Sequence, residues 1–175
     1  MHFKAKIMDE QAIRRALTRI SFEIIEHQPD LSNAVLVGIK TRGIPIAKVI
    51  RKNIANSTGV EVPMYQLDVS YYRDDVDHDK REGAKFKGDI EGKDVILVDD
   101  VLFTGRTTRA AIEAILDAGR ASSIKLAVLV DRGHRELPVK ADFVGKNVPT
   151  SMREEVVVSV GPLDGETGVS IYEKE

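Results

Sequence analysis

Three runs of apolar residues, at 34–39, 95–98 and 124–130, show almost no alternation between apolar and polar side chains. A strand with one wet face alternates, so runs of this kind belong to a sheet covered on both faces, the habit of parallel sheets. Segments of helical period separate them. Asp9 reads as an N-cap for a helix with Ile13, Ala16, Leu17, Ile20 and Ile24 along one side, ending near His27, Gln28 and Pro29. Pro45 falls just inside a second helix, where its absent N–H is not missed. Ile46, Ala47, Ile50 and Ile54 form the apolar side of that helix until residues 56–59 break it. A third helix runs from about Arg106 to Asp117 and is closed by Gly119. Residues 62–71 read as a further strand, with Leu67, Val69 and Tyr71 on one side and Asp68 and Ser70 on the other. Strands alternating with helices in this order predict an α/β fold with a mostly parallel sheet flanked by helices.

Two stretches depart from that pattern. Residues 73–93 are strongly charged, poor in large apolar groups and carry Gly83, Gly88 and Gly92. Such a segment cannot bury itself, so a mobile lid is expected there. From residue 131 onward the pattern breaks into turns and short strands near Phe143, at 156–160 and at 169–172. This reads as a small C-terminal flap or hood over about 131–175, not a second domain, and 175 residues suit one domain with a substantial core. The absence of cysteine excludes disulfides and thiolate chemistry. A net charge of −2 means that any nucleic-acid binding must rest on a local basic patch. The first residues lack the apolar stretch of a signal peptide, and no run approaches the roughly 18 apolar residues of a membrane span, so a cytoplasmic location is expected.

The run at 95–98 leads straight into two acids, Asp99 and Asp100. Three apolar residues later, Thr104, Gly105, Arg106, Thr107 and Thr108 open the third helix. Ligands of open α/β sheets bind at the carboxyl ends of the strands. A helix N-terminus reached through Thr and Gly offers unpaired N–H groups and a partial positive charge, which suits a phosphate. Adjacent carboxylates accept hydrogen bonds from a vicinal diol and can also hold a divalent cation. A ribose 5-phosphate needs both devices. The run at 34–39 ends in a second anion-compatible loop, Lys40, Thr41, Arg42 and Gly43, just ahead of Pro45. Two such loops at one sheet edge suit a ligand with phosphate groups at both ends. For the loop at 38–43 taken alone, a plain strand-to-helix turn with solvated Lys and Arg is the alternative. An acid pair after a strand also marks magnesium-dependent phosphotransfer domains of the response-regulator type, but there it follows the first strand. Here two strand candidates precede it. A Walker A loop is excluded, because Gly-Lys-[Ser/Thr] occurs nowhere.

Residues 95–107 resemble the phosphoribosyl-pyrophosphate (PRPP) motif of type I phosphoribosyltransferases. More narrowly, residues 38–43, 72–75, 127–138 and 145–151 resemble the bacterial pyrimidine operon attenuator family. Its members are bifunctional: uracil phosphoribosyltransferases that also bind pyrimidine-operon mRNA leaders. The likeness spans about residues 9–172, and the string from Asp131 to Pro138 is its most specific part. It implies a type I phosphoribosyltransferase fold. The implied reaction takes uracil and PRPP to UMP and pyrophosphate with Mg²⁺. The implied regulation is leader-mRNA binding in response to UMP or UTP, favouring transcription termination. It further implies that Asp99 and Asp100 hold the ribose hydroxyls and are candidate metal ligands beside the substrate's own oxygens. Thr104, Gly105, Arg106 and Thr107 would wrap the 5-phosphate, with Val101, Leu102 and Phe103 completing that loop. Lys40, Thr41, Arg42 and Gly43 would hold the pyrophosphate, often through a non-proline cis peptide. Arg73 would close over it, and Arg132 and Val156 would lie against the uracil. A homo-oligomer, dimer or larger, is expected.

Arg15, Thr18, Arg19 and Phe22 fall at i, i+3, i+4 and i+7 of the first helix and share the face opposite the apolar stripe. A basic, polar helix face is most often simply solvated. The resemblance nevertheless assigns Thr18, Arg19, His134, Arg135, Lys140, Lys146 and Thr150 to RNA binding. Phe22 stands where relatives often carry His, and an aromatic side chain can stack on a base. The segment between Asp75 and Val95 is several residues shorter than in some relatives. Two other readings stand beside this one: a nucleotide-sensing RNA-binding regulator with negligible catalysis, and a 6-oxopurine salvage phosphoribosyltransferase without an RNA role. The second family usually carries Glu-Asp where this chain has Asp99 and Asp100. His2, His27 and His78 show no metal-ligand spacing, and Asp74, Asp75, Asp77 and Asp79 lack the glycine and terminal glutamate of an EF-hand loop.

Overall fold

The computed structural model describes residues 1–74 and 84–175. In chain order the elements are β1 (His2–Asp9), α1 (Glu10–His27), β2 (Ala34–Ile39), α2 (Gly43–Thr58), β3 (Met64–Leu67), β4 (Asp94–Leu102), α3 (Arg106–Ala118), β5 (Ser123–Asp131), β6 (Phe143–Asn147), β7 (Glu154–Ser159), α4 (Gly161–Asp164) and β8 (Gly168–Glu173). Five strands form one parallel sheet in the order β3-β2-β4-β5-β6.

Both faces of that sheet are covered, which is why its strands do not alternate. Ile96 and Val98 of β4 pack with Ile13, Leu17 and Ile20 of α1 and Ile46 and Ile50 of α2. Val95 and Leu97 point the other way, into a core with Ala110, Ala111, Ala114 and Ile115 of α3. The helix signals hold at both ends: Asp9 caps α1 by accepting from the Ala12 N–H at 2.7 Å, and Gly59 closes α2 at φ 75°.

Several expectations need correction. The strand expected over 62–71 shrinks to Met64–Leu67, because Ser70 donates its N–H and hydroxyl to the Asp68 carboxylate and turns the chain into a 3-10 turn at 70–72. Tyr72, not Tyr71, is therefore the buried aromatic. Next, β4 does not stop at Val98 but carries the acid pair within it as far as Leu102. The lid expected over 73–93 does not include 86–90: Phe86 and Ile90 are buried, and the Tyr72 hydroxyl accepts from the Phe86 N–H at 3.2 Å. The remainder of that expectation, at 75–83, lies outside the described residues.

The flap is also built differently. Its sheet is three-stranded and antiparallel, in the order β1-β8-β7, so the N-terminal residues supply one strand. Alternation of Phe3, Ala5 and Ile7 with His2, Lys4 and Lys6 is a period-two signal that could have found it. An ion pair between Lys4 and the buried Glu154 ties β1 to β7. The strand near Phe143, expected in the flap, is instead the edge of the main sheet, because its register follows β5. Among the described residues no helix is long and apolar enough to cross a membrane.

Leu97 sits at the centre of the sheet with 0% exposure. Leu97→Ala is expected to lower unfolding free energy by about 2–5 kcal/mol in a urea titration, through lost apolar burial and the cavity left behind.

Candidate functional site

The site forms where α2 begins against β4. A Cβ on Gly43 would lie 2.4 Å from the Val98 carbonyl oxygen and 3.3 Å from the Asp99 Cα, so only glycine lets the first turn of α2 rest on the strand there. That approach brings the loop after β2 beside the acids of β4. The Lys40–Thr41 peptide is cis, as the resemblance implied. Lys40, Thr41, Arg42, Val69, Arg73, Asp99, Asp100, Val101 and Thr107 line a cavity of about 240 Å³. Residues expected separately as pyrophosphate loop, acid pair, closing arginine and phosphate loop thus share one space. A larger cavity of about 380 Å³ between α1, α2 and β7 is mostly apolar and contains none of the expected nucleotide-site residues, so its size does not mark the chemistry.

Two helices start beside the cavity. Neither N-cap residue, Arg42 of α2 or Gly105 of α3, makes a side-chain cap, whereas α1 is capped by Asp9; at α3 only the Arg106 N–H meets a hydroxyl, that of Thr104 at 3.4 Å. Gly105, at φ 91°, sits in the left-handed region and turns β4 into α3. The first N–H groups of a helix have no partner within it, so two helix ends offer donors and partial positive charge to an anion. The acids are arranged in sequence: Asp99 Oδ1 accepts from the Asp100 N–H at 2.9 Å, and Asp100 Oδ1 from the Val101 N–H at 2.8 Å. Asp99 is 8% exposed, and its burial, reinforced by the neighbouring Asp100, pushes its carboxyl well above the usual carboxylate range.

The cations have acidic partners that the sequence did not reveal. Lys40 Nζ lies 3.4 Å from Asp68, whose carboxyl is held low mainly by its hydrogen bonds from Ser70. Arg42 donates to both oxygens of Asp164 at 2.9 and 3.3 Å, joining the loop after β2 to α4. Arg106 bridges Asp74 at 2.9 Å and Glu136 at 2.7 Å.

Residues 131–138 form the wall behind the PRPP-like loop. The Arg132 N–H donates to the Leu102 carbonyl at 3.1 Å, and the Thr104 carbonyl accepts from Glu136 and Leu137 at 2.9 and 3.2 Å. Arg132 itself is buried, donating to the Glu154 carbonyl at 2.6 Å and to Thr150 Oγ1 at 3.1 Å. Val156 lies in β7 and is buried as well. Of the residues expected at RNA, Thr18 and Arg19 are exposed on α1, and Arg19 reaches the Val144 and Gly145 carbonyls, next to exposed Lys146. His134, Arg135 and Thr150 gather around residue 103, and Lys140 is exposed ahead of β6.

The phosphoribosyl transferase domain model matches residues 5–162, and the chain belongs to that family. The solved structure of hypoxanthine phosphoribosyltransferase from Trypanosoma cruzi in complex with the product IMP shares the fold at TM-score 0.75 and 20% identity, covering 99% of this chain and 92% of that one. Within the family the chain groups with the bifunctional protein PyrR. It is 53% identical to that of Oceanobacillus iheyensis, covering 99% of this chain and 100% of the relative. The Bacillus subtilis protein is 52% identical over the whole of both chains. That of Clostridioides difficile is 55% identical, covering 97% and 98%.

A carboxyl held above its unfolded value keeps its proton longer in the folded chain. Stability is then greatest where Asp99 is protonated in both states, and it falls as pH rises from the unfolded value through the folded one. Asp99→Asn is therefore expected to raise the thermal midpoint at pH 7, with the gain vanishing below the ordinary carboxylate range. Melting curves across that pH series check the sign.

Proposed function

We propose that this protein transfers the ribosyl 5-phosphate of PRPP to uracil, giving UMP and pyrophosphate, and that the same site governs its binding to a pyrimidine-operon leader mRNA. The observation that carries the reading is the cavity uniting Lys40–Arg42, Arg73, Asp99, Asp100 and Thr107 at the carboxyl edge of the sheet. In the reaction a bond forms between uracil N1 and the anomeric carbon. The bond from that carbon to the pyrophosphate oxygen breaks, its electron pair leaves with pyrophosphate, and the N1 proton is released.

Displacement at an anomeric carbon needs orientation, charge neutralisation and exclusion of water more than it needs a nucleophilic side chain. Asp99 and Asp100 hold the ribose hydroxyls. Amides at the start of α3, with Thr104 and Thr107, hold the 5-phosphate, and the loop at 40–43 with Arg73 holds the pyrophosphate. Arg132 and Val156 bound the base. Phosphoribosyltransferases generally use Mg²⁺ with PRPP. Among the described residues no group of three or more metal-ligating side chains exists, so the donor set fits an ion carried mainly on PRPP oxygens with Asp99 and Asp100 beside it. When bound, the ion neutralises charge on the departing pyrophosphate.

With UMP or UTP in place, the protein binds leader RNA through Thr18, Arg19, Lys146, Lys140, His134, Arg135 and Thr150, and so favours termination. Phe22, 49% exposed on the same face of α1, offers a stacking surface. The protein acts in the cytoplasm as a homo-oligomer, a dimer or larger. Purified protein with Mg²⁺ and PRPP is expected to form UMP from uracil and to leave hypoxanthine unchanged; nucleotide formed only from hypoxanthine overturns the enzymatic half. Lys146→Ala is expected to weaken leader RNA at every salt concentration and to reduce the salt slope of log Kd by about one. An unchanged slope removes Lys146 from the interface.

A further inference from the structure

We propose that Phe103 is the positioning residue through which a bound nucleotide sets the arrangement of the RNA-binding side chains; this rests on the nucleotide-controlled RNA binding proposed above. Phe103 lies in the loop between β4 and α3, one peptide ahead of the residues that surround the 5-phosphate. Its ring carries the Arg132 guanidinium at 4.0 Å and meets the His134 imidazole edge-on, with centroids 6.1 Å apart and planes at 73°. Its carbonyl accepts from Arg135 Nη1 at 2.9 Å. Thr150 closes the circuit, its hydroxyl accepting from Arg132 Nε at 3.1 Å while its carbonyl meets His134 Nε2 at 2.5 Å. One residue therefore touches Arg132, His134 and Arg135 directly and reaches Thr150 through two of them.

The two ends of a nucleotide converge on this ring. The phosphate engages the loop that carries Phe103, and the base lies against Arg132, which sits over it. Arg132 has little freedom of its own, being 4% exposed and held by the carbonyls of Ser151 and Glu154 at 3.2 and 2.6 Å. His134 is held at φ 62°, a region that non-glycine residues enter uncommonly. In so tightly joined a cluster, a change in the phosphate loop cannot leave His134, Arg135 and Thr150 where they were. Packed elements of this kind rearrange as units, and the coupling they carry is reciprocal between the two ligands.

The test compares wild type with Phe103→Leu, which keeps apolar bulk and removes the ring. A leader hairpin transcribed in vitro is titrated with and without UMP, and calorimetry on each protein fixes a saturating UMP concentration. Wild type is expected to bind RNA several-fold to about a hundredfold more tightly with UMP, and Phe103→Leu less than about twofold more tightly with UMP equally saturating. A wild-type-sized UMP effect in the variant overturns the proposal and leaves nucleotide-controlled RNA binding standing. No UMP effect in wild type overturns both. Should the variant fail to fold or to bind UMP, the wild type decides by NMR without RNA. The chain has four histidines, so the His134 ring signal is identified by its loss in His134→Gln. A shift of that signal on adding UMP supports the proposal, and a stationary signal overturns it.

Discussion

Gly43 has no side chain, and the first turn of α2 uses that space to rest on the backbone of β4 at Val98 and Asp99. The other parts of the nucleotide site follow from this approach. It sets the loop at 40–43 against the acids, and it turns the start of α2 toward the same space as the start of α3. Gly38 serves the same contact from the strand side, since a Cβ there would lie 2.9 Å from the Ile44 Cα. The covered parallel sheet supplies the rigid floor that keeps the two loops in register, with Gly38 of β2 paired to Val98 of β4.

The site is assembled from groups whose needs the protein leaves partly unmet. A carboxyl is buried beside another acid, and the N-cap residues of two helices make no side-chain cap of the kind Asp9 gives α1. Such arrangements cost stability in the free protein and gain their partners from a ligand that brings hydroxyls and phosphates. The cations around the cavity are treated differently. Lys40, Arg42 and Arg106 rest against Asp68, Asp164 and against Asp74 with Glu136, so they are positioned before any anion arrives. These pairs are partly exposed, where ion pairs contribute little to folding, so exchanging a carboxylate for a phosphate there is inexpensive.

Much of this was legible in the sequence because it depends on local rules. Unbroken apolar runs reveal a sheet buried on both faces, Asp9 and Gly59 mark helix ends, and acids followed by Thr-Gly-Arg-Thr mark a strand-to-helix phosphate loop. What stayed hidden depends on pairing across the chain. Neither Asp164 nor Asp68 has a neighbour in sequence that hints at Arg42 or Lys40. The strand β1 is separated by most of the chain from its partner β8, so its alternation has no neighbouring strand in sequence to pair with. Phe86 and Ile90 look isolated in a charged stretch until the hydroxyl of Tyr72 and the core around Leu97 are in view.

The string from Asp131 to Pro138 illustrates both sides of this. Its likeness to one family was plain from the residues, yet its physical place was not. It lies directly behind the phosphate loop, with its backbone and Arg135 bonded to the carbonyls of Leu102, Phe103 and Thr104. The central claim is that both loops and the acid pair form one nucleotide site, and a crystal structure of the protein with UMP tests it most directly. The expected result places the phosphate within about 2.7–3.2 Å of amides at the start of α3, with both ribose hydroxyls on Asp99 and Asp100. A nucleotide seated elsewhere, with the acid pair left free, contradicts the account.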